Sequence, residues 1–366
     1  MSPPGLQTGS AMSTDTTKQT FLETNHIVRE LASGMFGTVY ISIPKAITEN
    51  ILSNATTTTS LYSNLRQNLQ VVKISKSVDM TREISLLKAF KVKTPSSSAF
   101  TLPNLLASDP SQPPLWLTLT YLNGGTLHDL LDHCYQNPTL RIPTSLLWHW
   151  ISQIAQTLLF LHLGLTIIMA EDDAKTPPRL VSDDSWTPTI HNDIHYENLI
   201  FNLPLPNNAN SYPDLILSDF GNSKKHSTDP SPGLAIPWKT HKEKQIGDIL
   251  CELEQLANKV EDKDEVLGEL FDQTPKFRDD DDDDAELEFF EKMIGTAERR
   301  KKELWKELPD GLKEYFEGKG VGDEELQKFV EEVRGEKGAR SKASPSSSSS
   351  SEVQDGKTAG CGCVAL

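Results

Sequence analysis

An α+β fold is predicted, with a β-rich first part and a longer helical second part. Three observations predict it. Short runs of β-forming residues bounded by turn signals occupy Ile27 to Ile43, Leu69 to Ile74 and Leu115 to Leu122. Between Ser145 and His162 the apolar residues Leu147, Ile151, Ile154, Leu158 and Leu161 share one helical face. The change from one pattern to the other falls at the turn Asn123-Gly124-Gly125.

Taken in order, residues 1–22 are rich in Ser, Thr, Pro and Gly with little apolar periodicity and are expected to be disordered, order beginning near Phe21 to His26. Ile27 to Ile43 reads as two strands joined by the turn Ser33-Gly34-Met35-Phe36-Gly37. A polar stretch around Asn54 to Ser60 marks an insertion at about 45–66 within a first part spanning 23–122. Leu69 to Ile74 is a further strand, Thr81 to Phe90 an amphipathic helix and Leu115 to Leu122 a strand. The second part, 123–335, holds helices at Leu127 to Cys134, Ser145 to His162 and Glu243 to Val260, and short strands at Leu199 to Phe201 and Leu215 to Leu217. Residues 168–188 read as a loop insertion, the Asp279 to Asp284 run as a solvated acidic linker, and 336–366 as a flexible Ser-rich tail.

Composition excludes some classes of function. A net charge of -16 opposes broad nucleic-acid binding, because a phosphate backbone would be repelled by most of the surface. Cys134, Cys251, Cys361 and Cys363 are too few and too scattered for a disulfide framework or a four-ligand zinc site, which fits a reducing, cytoplasmic setting. No apolar run reaches the length of a spanning helix, the first residues lack a signal peptide's pattern, and Ser2 excludes N-myristoylation. The sequon Asn54-Ala55-Thr56 is read as a chance match.

The chemistry is carried by four segments. Ala32-Ser33-Gly34-Met35-Phe36-Gly37-Thr38-Val39 is a hairpin turn whose backbone amides could approach phosphate oxygens, though a plain structural turn explains its glycines equally well. Lys73 lies in the apolar strand Val71-Val72-Lys73-Ile74, where a permanent cation needs a partner, and Glu83 on the following helix could supply it. His191-Asn192-Asp193-Ile194-His195-Tyr196-Glu197-Asn198 puts a carboxylate and an amide on one loop ahead of an apolar strand. Asp193 could take the proton of an acceptor hydroxyl and Asn198 could offer oxygen to a hard cation. After another strand comes Ser218-Asp219-Phe220-Gly221, with a second carboxylate for a magnesium ion.

In this order, from about His26 to Asn258, these segments resemble the protein kinase family and its wider kinase-like superfamily. The resemblance implies a bilobal kinase-like fold, a small β-rich lobe followed by a larger helical one, with ATP and Mg2+ as donor and metal. It makes Lys73 and Glu83 the strand-helix ion pair, Asp193 the catalytic-loop aspartate with His195 beside it, and Asn198 and Asp219 the metal ligands. The nucleotide site is then formed by Ala32, Gly34, Gly37, Val39, Val71, Lys73, Leu119, Tyr121, Leu122 and Ile200. Thr120, Tyr121 and Leu122 are similar to the hinge that receives adenine, Leu119 to the residue guarding the pocket behind it, and Asp248 to the buried aspartate that braces the catalytic loop.

The departures bear on the acceptor. Ala32 replaces the first loop glycine, Val71 a small alanine, Asn192 the catalytic-loop arginine, and His195 the lysine that follows the catalytic aspartate. Ala235-Ile236-Pro237 only echoes Ala-Pro-Glu, and without the arginine Ser227 and Thr228 are poor candidates for switches. The expected activity is transfer of the ATP γ-phosphate to a hydroxyl, foremost on Ser or Thr of a protein substrate. A small-molecule hydroxyl acceptor, favoured by His195, and a membrane-tethered pseudokinase scaffold, favoured by Ala32 and Asn192, are the alternatives. At the end of the chain, Cys363-Val364-Ala365-Leu366 matches a geranylgeranylation signal. Cys361 is a second candidate for lipid, and Arg334, Lys337, Arg340 and Lys342 lie upstream, so attachment to the cytosolic face of a membrane is expected.

Overall fold

The computed structural model describes residues 14–34, 37–76, 80–93, 102–111, 113–168, 179–183, 185–204, 211–226, 238–262, 264–272 and 283–343. Met35, Phe36, Ser227, Thr228, 235–237, most of the acidic run, Cys361 and Cys363 lie outside them. The chain forms two units, Met1–Gly322 and Asp323–Leu366. The second begins inside the stretch 123–335 expected as one part, and its described portion is a single helix, Asp323–Ala343.

The first unit is mixed α and β. Its main sheet has five antiparallel strands: β1 (Asn25–Ser33), β2 (Gly37–Pro44), β3 (Gln70–Ser75), β4 (Leu105–Ser108) and β5 (Trp116–Thr120), in the order β1-β2-β3-β5-β4. Register places Val39 and Leu117 opposite Lys73, and Ile41 and Leu119 opposite Val71. Opposed residues share a face, so Val39, Val71, Lys73 and Leu119 lie on one side. The alternate residues Tyr40, Val72 and Ile74 are buried on the other side.

That second face is covered by α1 (Thr14–Thr24), which corrects the expectation of disorder over 1–22 for its described part, 14–22; residues 1–13 lie outside the described residues. Phe21 is buried there with Tyr40, Val72 and Ile74, and its ring meets Trp116 edge-on at 5.3 Å. A helix of low amphipathicity gives little periodic signal; one aromatic residue anchors it. The insertion at 45–66 is also structured, as α2 (Lys45–Asn54) and α3 (Thr58–Gln67), which bury Ile51, Leu61 and Leu65. The polar residues read as an interruption include the start of the second helix, where Thr57 and Ser60 form a capping box. Helix α4 (Thr81–Lys93) then leads to β4, a strand with no clear sequence signal.

After β5, Gly124 donates its N–H to Phe201 O at 2.9 Å, and a Cβ at Gly124 would stand 2.6 Å from that of Phe201. Only glycine permits this approach, which seats the chain after Thr120 against the strand that follows the Asp193 loop. Helix α5 (Leu127–Gln136) precedes α6 (Thr144–Leu163), which is buried along nearly all of its length. It ends at Gly164, whose φ of 67° closes the helix in left-handed geometry. Around α6 lie β6 (Leu165–Ile168) paired with β7 (Arg179–Ser182), β8 (Thr189–Ile190), and β9 (Leu199–Asn202) paired with β10 (Asp214–Leu217). The described ends of the expected loop insertion at 168–188 thus form a hairpin. Strand β11 (Lys224–Lys225) pairs with β8, and α7 (Trp238–Ala257), α8 (Glu265–Phe271), α9 (Asp283–Glu303) and α10 (Asp310–Glu317) complete the unit. Among the described residues no helix is long and apolar enough to cross a membrane.

Candidate active site

Lys73 projects from β3 into a group of three charges. Its Nζ lies 3.1 Å from Glu83 Oε2 on α4 and 2.6 Å from Asp219 Oδ1 after β10. Burial alone would lower the pKa of Lys73, but Glu83 and Asp219 outweigh it and hold the ammonium above its ordinary value. One ammonium serves two carboxylates unequally. Burial of Glu83 raises its pKa against the pull of Lys73, whereas for Asp219, with nearly half its side chain accessible, the upward push of burial is outweighed by Lys73 and the Gly221 N–H, which hold it below the usual carboxylate range. Gly221 closes over the group; a Cβ there would stand 3.2 Å from Asp219 Oδ1 and 3.4 Å from Lys73 Nζ.

Asp219 itself has φ 59°, a left-handed conformation that Asp tolerates better than most residues. This turn sends Phe220 inward, where it is fully buried between Phe90 of α4 at 4.8 Å and His191 at 4.7 Å. The helix carrying Glu83 and the loop carrying Asp193 are therefore joined through one aromatic side chain. His191 donates from Nε2 to Ser218 O at 2.8 Å, and burial pushes its pKa down to about 4, so the imidazole is neutral.

The loop His191–Asn198 runs from β8 to β9. Asn192 adopts φ 65°, where asparagine is among the best-tolerated side chains, which gives a backbone reason for Asn at this position. Asp193 keeps over a third of its side chain accessible and accepts from Asn222 Nδ2 at 3.1 Å. Asn198 donates to Asp193 O at 2.9 Å and sits 2.9 Å from His195 Nε2, so its amide nitrogen holds the loop and its oxygen remains for another partner. That contact makes His195 Nε2 an acceptor and leaves the imidazole proton on Nδ1. His195 Nε2 is 3.9 Å from Asp193, beyond hydrogen-bond distance.

Asn198 and Asp219 are brought into proximity because Ser218 N donates to Asn198 O at 2.8 Å, extending the β9–β10 pairing. Among the described residues no group of three His, Cys, Asp or Glu side chains is placed to hold a metal. Magnesium does not require one, since it binds through one or two protein oxygens, water and substrate phosphates. The accessible carboxylate of Asp219 and the amide oxygen of Asn198, carried at the ends of paired strands, are oxygen donors of that kind.

The sheet face that carries Lys73 is only partly covered: Val39, Val71 and Leu119 are half-buried, as are Tyr121, Leu122 and Ile200 nearby. These apolar walls and one cation suit a flat aromatic base with phosphates attached. Ala32 is exposed and pairs with Val39, at the end of the sheet. The two glycines of the turn differ. Gly37 is required by packing, since a Cβ would stand 2.4 Å from Ile74 O, while Gly34 faces open space and accepts from Lys76 Nζ at 2.8 Å.

The brace of the Asp193 loop is a correction. Asp248 is only partly buried and forms an exposed ion pair with Lys244. Gln245, one helical turn earlier on α7, takes the role: its Oε1 accepts from His191 N at 2.6 Å and from Asn192 N at 3.3 Å. Its Nε2 donates to His162 Nε2 at 2.8 Å, and His162 Nδ1 donates to Glu286. Lys242 completes the chain with bonds of 2.7 Å to Glu286 and 3.0 Å to Asp283. All but Asn192 and Asp283 are buried, so this polar path links α9 and α6 to the Asp193 loop. A polar Gln and Lys on the apolar face of α7 were the only sequence signal for it; Asn222, directly after Gly221, had none. No family model matches the chain, and no curated protein matches it significantly.

Proposed function

We propose that the chain is an ATP- and Mg2+-dependent phosphotransferase with a kinase-like, bilobal arrangement, moving the γ-phosphate to the hydroxyl of Ser or Thr in a protein. The observation that carries this reading is the single ammonium of Lys73 held between Glu83 and Asp219, with the accessible Asp193 carboxylate on a separately braced loop. Glu83 aims Lys73 at the donor phosphates. Asp219 and Asn198 would hold magnesium, which would supply charge neutralisation for the donor phosphates. Asp193, oriented by Asn222, accepts the proton of the attacking hydroxyl. His195 stands beside it with its proton on Nδ1, a donor for a phosphate oxygen in place of a fixed positive charge. Val39, Val71, Leu119, Tyr121 and Leu122 offer the apolar surface for adenine. Catalysis by this set is positioning and charge stabilisation, with no covalent intermediate on the protein.

The test is magnesium-dependent ATP turnover by wild type and Asp193→Ala, with labelled phosphate followed onto protein mixtures and onto a pool of small hydroxyl compounds. Turnover that disappears in Asp193→Ala, with label on protein, is expected. Equal rates for the two proteins would refute the role of Asp193. Label on the small compounds alone would move the acceptor to that class, which is the reading that His195 favours.

A further inference from the structure

We infer that the acceptor is an acidic peptide segment, docked by Lys224, Lys225 and Lys244 beside Asp193; this rests on the phosphotransferase reading above and names its substrate class. A small cavity between the catalytic loop and α7 is lined by Asn192, Asp193, Ile194, His241, Lys244 and Asp248. The base is thus one wall, and His241 with the Lys244–Asp248 pair is another. Strand β11 borders the same cavity, because Lys224 is in register with Ile190, which also lines it. Lys224 follows by two residues Asn222, whose amide holds the Asp193 carboxylate at 3.1 Å.

Lys224 and Lys225 are both exposed, and neither has a carboxylate partner among the described residues. Lys244 is 69% accessible and shares its charge with Asp248. Lys242, by contrast, is buried against Glu286 and Asp283 and takes no part. After burial, Lys224 and Lys244 are the groups that hold His241 below its ordinary pKa, so the two lysines act on one volume and keep the imidazole toward its neutral form. On a chain of net charge -16, a local excess of positive charge beside the proton acceptor is selective. It attracts carboxylates flanking a hydroxyl while the rest of the surface repels them.

The test uses the full chain and fluorescent serine peptides with Asp and Glu, Gln, or Lys on both sides of the serine, followed by anisotropy without nucleotide. The acidic peptide is expected to bind at least ~10-fold tighter than the Gln peptide, with a preference that weakens as salt rises. Lys224→Glu/Lys225→Glu should abolish the preference, and Lys224→Gln/Lys225→Gln should reduce it should the reversal perturb folding. Arg299→Glu/Lys302→Glu on α9 makes the same change in net charge and should keep it. Equal affinity for all peptides, or a preference that survives both Lys224/Lys225 variants, overturns the inference. Magnesium-dependent ATP turnover is measured in parallel. A charge-sensitive acidic preference without turnover refutes phosphoryl transfer and leaves the docking surface standing. Turnover without that preference, or label confined to an anionic small molecule, refutes the acidic peptide and leaves phosphoryl transfer standing.

Discussion

Replacing Gln245 with Leu keeps side-chain size and helix propensity while removing one acceptor and one donor from a buried position. The acceptor serves His191 N at 2.6 Å and Asn192 N at 3.3 Å, and the donor serves His162 at 2.8 Å. A buried group left without its partner costs roughly 1–3 kcal/mol, with the longer bond contributing least, so the total loss is about 2–4 kcal/mol. Asp248→Ala removes only an exposed pair with Lys244 and should cost about 0–1 kcal/mol. With a urea dependence of about 3 kcal/mol per M, the unfolding midpoint should fall by ~1 M for Gln245→Leu and by less than ~0.3 M for Asp248→Ala. ATP turnover assayed well below either midpoint should fall with Gln245→Leu, since the loop bearing Asp193 loses its anchor. A midpoint loss for Asp248→Ala that equals or exceeds that for Gln245→Leu would refute the assignment of the brace.

Further outcomes follow from burial and charge. His191 is neutral when folded, with a pKa of about 4, and protonates near 6.5 when unfolded, so its contribution is complete above pH 6.5 and is lost as pH falls toward 4. Between pH 7.5 and 5 this amounts to about 2 kcal/mol, so the stability advantage of wild type over His191→Phe should shrink by that amount in urea titrations; a pH-independent difference counts against it. Lys73→Met should lower ATP turnover at least ~100-fold, the scale of losing one preorganised electrostatic partner, and near-normal turnover would remove Lys73 from the site. Phe21→Ala should cost about 3–5 kcal/mol, read as a fall in thermal midpoint, because it empties the contact between α1 and the sheet; an unchanged midpoint would show that α1 does not cover that face.

Much of the first unit was legible because it depends on residues close in sequence. The turn at Gly34 and Gly37, the helical apolar spacing of α6 and the short strands around the Asp193 loop are local patterns, and each lies within a few residues of its expected place, although α6 is buried on all faces and not on one. The helices over 45–66 were hidden because Thr, Ser and Asn are equally at home in turns and caps, and only Ile51, Leu61 and Leu65 mark a buried side. Helix α1 was hidden for a similar reason, with Phe21 its single large anchor.

By itself the sequence determined which reactive side chains exist and on which kinds of element they sit, since a strand lysine, a helix glutamate and two loop aspartates are set by local periodicity and turn chemistry. It also determined where left-handed backbone could be borne, at Gly125, Gly164, Asn192 and Asp219. Only the tertiary structure decided which of them meet. Lys73 and Asp219 are 146 positions apart in the chain, and His162 and Glu286 are 124 apart. Gln245 rather than Asp248 reaches the loop because, one turn along the same helix, it faces inward at the right depth, and that is settled by how α7 packs. Periodicity identifies a face; the depth and direction of a side chain come from the neighbours packed against it.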